Sequence, residues 1–163
     1  MIHTVDVNFL GYPEAIASFA IETSEGLALV ETGPYSSYNN LVSGLQEKGF
    51  SPDDVKHVFL THIHLDHAGA AWAFAERGAK VYVHPVGYPH LNDPSKLMHS
   101  ASRIYGDQME RLWSDMNPIA EDRLQAVENG QEIALGDQVF KAWHTPGHAS
   151  HHIAWQLGKT VFT

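Results

Sequence analysis

The stretch Thr61-His62-Ile63-His64-Leu65-Asp66-His67-Ala68-Gly69 packs three histidines and an aspartate into six residues. An apolar, β-branched run, Val55 to Leu60, precedes it, and an alanine-rich run from Ala68 to Arg77 that reads as a helix follows. The cluster therefore sits on a strand-to-helix turn, where a rigid scaffold aims several side chains at one point. Neutral imidazole is the commonest zinc ligand and also suits iron, and a carboxylate adds charge. His62 and His64 are two apart, so in extended backbone they face the same side and can grip one ion. Asp66 and His67 follow on the tightening turn, a placement that suits a second ion nearby. A polar loop in a chain with 12 histidines is the plainer explanation. Four liganding groups in H-x-H-x-D-H order favour metal binding over it.

Outward from this stretch the chain alternates β and α. Residues 3–9 suggest an edge strand. Ile16–Thr23 and Leu27–Thr32 form a hairpin around Ser24-Glu25-Gly26. Tyr38–Lys48 has helical spacing and stops at Gly49. Val55–Thr61 is the strand that delivers the ligand loop, and Lys80–His84 is a further strand. Residues 86–117 suggest a helical insertion, with one long helix from about Ser95 to Ser114. Its apolar stripe is mostly core packing, while Tyr105 and Trp113 are placed to roof the site. Short strands are expected at 124–127, 132–135, 139–143, 152–157 and 160–163.

His62-x-His64-x-Asp66-His67 resembles the signature of the metallo-β-lactamase superfamily. Thr145-Pro146-Gly147-His148 is similar to that family's next ligand motif. Glu31-Thr32-Gly33 resembles its Asp-Thr-Gly turn, with Glu in place of Asp. The pattern is most similar to small hydrolases of the glyoxalase II type. The resemblance implies an α+β fold, the four-layer αββα sandwich, here its N-terminal part only, spanning 1–163 as one domain. It implies metal ligation by His62, His64 and His148 at one position and by Asp66 and His67 at another. Asp66 is also the expected catalytic group, orienting a metal-activated water and moving its proton. Family members continue beyond the final strand with Gly-Asp, whose Asp bridges the two metals, and later add another His. The expectation is therefore a chain cut at the start of that motif.

Other polar residues are weaker candidates. Glu31 is expected to support the ligand loop or to be simply an acid at a strand end. His84 ends a strand near the loop, and His152 opens the strand after His148, so both are candidates for contacting a ligand or the substrate. His3, His57, His90 and His99 are expected at the surface.

Length and charge narrow the function. The 163 residues, 44% hydrophobic and 18% charged, carry a net charge of −9. That balance, with no Lys/Arg run, argues against a nucleic-acid surface. The absence of cysteine removes disulfides and thiolate zinc sites. No apolar run approaches a membrane span, and no signal peptide is visible, so a cytoplasmic protein is the default. The expected cofactor is Zn²⁺, one or two divalent ions, with iron or manganese as alternatives. The expected partner is a small-molecule ester, thioester or lactone, and a homodimer is left open. Two other functions fit the same cradle: a mononuclear iron persulfide dioxygenase, and a metal-binding fragment without catalysis.

Overall fold

A computed structural model describes residues 1–163. Strands β1 (Ile2–Asp6), β2 (Ala17–Thr23) and β3 (Gly26–Val30) form an antiparallel meander. Strands β4 (Val55–Phe59), β5 (Lys80–Val83) and β6 (Leu124–Ala126) then add in parallel, giving a six-stranded sheet in sequence order. Each parallel step needs a crossover, and crossovers are right-handed. Because all three steps move the same way across the sheet, all three crossovers fall on one face. That face carries α1 (Tyr38–Glu47), α2 (Leu65–Ala68), α3 (Ala71–Glu76), α4 (Tyr88–Asn92), α5 (Ser95–Tyr105) and α6 (Met109–Leu112). Leu41, Leu45, Trp72, Phe74, Leu91 and Ala101 from these helices share one core with Val58 and Val81 of the sheet.

The other face is left for a second sheet. Strands β7 (Glu132–Leu135), β8 (Gln138–His144), β9 (Ile153–Leu157) and β10 (Thr160–Phe162) pair antiparallel in the order β10-β9-β8-β7. Between the sheets lies an aromatic core. Phe59 stacks on Phe140 at 4.2 Å and on Tyr82 at 4.6 Å, and meets Trp155 edge-on at 4.9 Å. These are the α, β and β layers of the expected sandwich. Val58, Phe59 and Leu60 are all fully buried, which is why the end of β4 is continuously apolar rather than alternating, while Lys56 near its start is exposed.

Two expected helices differ from the sequence reading. The segment 95–114 is broken: α5 ends at Gly106, whose φ of 53° lies in the left-handed region, and a short 3₁₀ turn separates it from α6. The helix expected from 68 to 77 starts earlier, at Leu65, and divides at Gly69-Ala70. There the Ala70 N–H leaves the helical ladder and donates to Gly33 O at 3.0 Å.

Candidate metal centre

The site assembles where the parallel strands end. Glu31 follows β3, Thr61 to His67 follow β4, and His148 and His152 lie on the loop between β8 and β9. Two bonds bring the second sheet's loop to the first sheet's loop. The Ile153 N–H donates to Thr61 O at 2.7 Å, and the buried Trp155 indole N–H donates to Leu60 O at 2.9 Å. The Thr145 N–H donates to His152 O at 2.9 Å and closes the loop that carries His148. Residues 84 positions apart are thereby placed side by side.

Three imidazole nitrogens converge. His62 Nε2 lies 3.0 Å from His64 Nδ1, which lies 3.1 Å from His148 Nε2. Three nitrogens bound to one tetrahedral zinc at its usual bond length sit about 3.4 Å apart, so this trio needs little movement to hold an ion. Two of the three rings are held toward the uncharged form that a ligand needs. Burial, then the neighbouring His67, His64 and His148, lowers the His62 pKa to about 3. Burial and His148 lower that of His64. Burial thus favours the uncharged form of both rings.

Glu31 is the support beneath. It is buried and holds a left-handed φ of 64°, a conformation rare for a residue with a side chain. Its carboxylate accepts from the Thr61 N–H at 2.7 Å and from the Thr61 hydroxyl at 3.1 Å. With that hydroxyl's proton committed to Glu31, Thr61 Oγ1 is left to accept from His62 Nδ1 at 2.9 Å. The proton on Nδ1 leaves Nε2 as the free donor facing His64. Glu31 also pairs directly with His67 Nδ1. One carboxylate thus sets the tautomer of His62 through Thr61 and holds the His67 ring by direct contact, the carboxylate–histidine support typical of metal sites.

His67 Nε2 lies 3.3 Å from Asp66 Oδ2, the separation expected of two ligands on one ion. Burial pulls the His67 pKa down, but Asp66 and Glu31 on its two nitrogens outweigh that and raise it to about 10. Burial raises the Asp66 pKa, and the stronger combined pull of His67 leaves it lowered. Glu31, His62 and His67 also form a tight trio of ligand atoms. Glu31 is already engaged with Thr61 and His67, which makes it a support rather than a ligand. The donor set fits one ion at His62, His64 and His148, and an adjacent pair, Asp66 and His67, that takes another only by displacing the proton His67 holds.

The remaining candidates separate clearly. His152 lines the same cleft of about 450 Å³ as His62, His67 and His148, and its Nδ1 lies 2.8 Å from Thr145 Oγ1. Tyr105 and Trp113 line a neighbouring pocket that shares His64 and Asp66. His84 lies outside the cluster. Its Nδ1 accepts from the Val86 N–H at 3.1 Å, and its ring packs 4.1 Å from His144. The ring of His151 stays 6.1 Å from that of His64, beyond the converging trio. Thr61 and Thr145 were not singled out by the sequence reading. Their signal is a hydroxyl placed directly beside a ligand motif, which only geometry distinguishes from an ordinary β-strand threonine.

Comparison with known proteins agrees with this geometry. The family model of the metallo-beta-lactamase superfamily matches residues 11–163. An N-acyl homoserine lactonase of Bacillus thuringiensis is 33% identical over 167 residues, covering 88% of this chain and 60% of the relative. A metallo-beta-lactamase fold-containing protein of Sulfurisphaera tokodaii is 24% identical, covering 99% of this chain and 60% of the relative. A subclass B3 metallo-beta-lactamase of Bradyrhizobium japonicum superposes with a TM-score of 0.73 at 27% identity, covering 98% of this chain and 56% of that one. The chain belongs to the metallo-beta-lactamase superfamily. It spans between one half and two thirds of the length of these relatives.

Proposed function

We propose that this chain carries the metal-binding core of a hydrolase that cleaves a small ester, thioester or lactone. The observation that carries the proposal is the convergence of His62 Nε2, His64 Nδ1 and His148 Nε2 beside Asp66. A divalent ion in such a site acidifies water and polarises a carbonyl oxygen. The chain's own residues do the rest. His62, His64 and His148 hold the ion through one ring nitrogen each, and Asp66 with His67 offers a second position. Asp66 is partly exposed beside the cluster, where it orients the attacking water and takes its proton. His152, fixed by Thr145, lines the cleft and is positioned to contact the substrate.

Zinc is the proposed metal, because three nitrogens with an open fourth position is the arrangement of catalytic zinc. The resemblance to a lactonase and to a β-lactamase supports attack on a carbonyl carbon in a strained or activated ring. The net charge of −9 disfavours a nucleic acid as substrate. The test is a panel of thioesters, lactones and simple esters run on protein loaded with zinc, manganese or iron, beside a metal-free control. Metal-dependent turnover of at least one class is expected. Full turnover without metal, or none with any metal, contradicts the proposal.

A further inference from the structure

We infer that the pocket beside His64 and Asp66 receives an unbranched aliphatic chain, so that the substrate is an amphiphile whose reacting carbonyl end lies at the metal cluster. The inference rests on the hydrolase reading and adds a substrate class to it. The pocket holds about 260 Å³. That is roughly nine water volumes at about 30 Å³ each, enough for a chain of several methylenes. Its walls are Leu65, Leu97, Ala101, Ile104, Tyr105 and Trp113, with Ser100 among them. Leu97, Ala101 and Ile104 recur at i, i+4 and i+7, so one stripe of α5 faces the space. Tyr105 meets Trp113 edge-on at 5.2 Å and closes one side.

The polarity is graded. One end is formed by two members of the metal cluster, His64 and Asp66, and the rest, Ser100 apart, is aliphatic and aromatic side chains. Ile104 is 75% exposed and Tyr105 38% exposed. Apolar surface left to water beside a polar, reactive end is what a molecule with a polar head and an apolar tail would cover. A small polar acyl group, or a peptide-like thioester tail, would leave those walls wet. The break at Gly106 matters here. It ends α5 just after Tyr105, so Trp113 can return on α6's far side to meet it.

The test is binding of a hydroxamate series, acetyl to dodecanoyl, to zinc-loaded protein by titration calorimetry. The hydroxamate head chelates metal, so acetohydroxamate alone reads the metal centre, and added methylenes read the pocket. Affinity should rise by up to about fourfold per buried methylene, with about tenfold or more between butanoyl and octanoyl, then level off as the pocket fills. Ala101→Phe, which fills the floor, should flatten the series. Ile104→Ser, at an exposed position that folding tolerates, should weaken octanohydroxamate severalfold more than acetohydroxamate. Equal affinities across the series within about twofold would overturn the inference. Failure of acetohydroxamate to bind zinc-loaded protein would instead count against the hydrolase reading. The pocket is then read on metal-free protein with octanoate and dodecanoate against acetate, where loss of any chain-length dependence again overturns it.

Discussion

Glu31 accepts from the Thr61 N–H, the Thr61 hydroxyl and His67, so its one carboxylate holds two imidazoles of the site in register. Replacing it by Gln keeps the shape but puts an amide N–H where an acceptor is needed. Glu31→Gln should lower metal affinity by about 10–100-fold, the usual effect of losing such a support. Equilibrium metal titration checks it, and unchanged affinity would make Glu31 merely a strand-end acid. Asp66 gives the second residue-scale test. A helix-capping role is the plain alternative, but the residue at the cap position of α2 is His64, and Asp66 lies inside the first turn. Asp66→Asn should therefore cut kcat by about 10²-fold or more, while the fold persists with the modest stability loss of one partly exposed ion pair to His67. Full turnover by this variant would remove Asp66 from the mechanism. The converging cluster was legible in sequence because three histidines and an aspartate in fixed spacing have few other uses. Glu31's reach was not, because a longer acid at a strand end reads the same whether or not it finds His67.

At the scale of elements, the strands were legible, because apolar runs between Gly and Pro turns mark them, while their order in the two sheets came only with the structure. Helix continuity was not. The apolar stripe from Met98 to Trp113 records which side faces the core, and it runs on across the chain reversal at Gly106. The division at Gly69-Ala70 has a tertiary cause. The Ala70 N–H goes to Gly33 O, and Thr32 donates from both N–H and hydroxyl to His67 O at 2.9 Å. This clamp needs close approach: a Cβ on Gly69 would lie 2.4 Å from Leu65 O and 2.9 Å from Pro34 Cα. Gly69→Ala should cost about 1–3 kcal/mol, as overpacking does. It should also weaken metal binding, because the same turn carries His67. Chemical denaturation and metal titration of the variant check both, and a stability loss below about 0.5 kcal/mol would mean the clamp yields freely.

For the whole molecule, the gathered histidines make stability without metal depend on pH. His57, His62, His64, His84, His151 and His152 are all held below the ordinary histidine value, first by burial. For each, the unfolded chain takes a proton first, so its contribution is present above about pH 6.5 and is lost as the pH falls toward the folded values, about 3 for His62 and about 4 for His151. His67 has the opposite sign. Its raised value contributes below about pH 6.5 and fades as the pH climbs through about 10. Thermal melts in the presence of a chelator should peak near neutral pH and fall steeply toward pH 4. A melting temperature that stays level or rises on acidification from neutrality would contradict this balance.

The two sheets matter to the site through one join: Ile153 bonded to Thr61 and Trp155 to Leu60 bring His148 beside His62 and His64. The most direct measurement is zinc binding by the wild-type chain and by His148→Ala, titrated against a competing chelator. Tight binding of at least one equivalent is predicted for the wild type, with affinity lower by about 100-fold or more in His148→Ala, since even indirect supports of a metal cost 10–100-fold when removed. Equal zinc affinity in the two proteins, or no stoichiometric binding by the wild type, would contradict a metal centre built from both sheets.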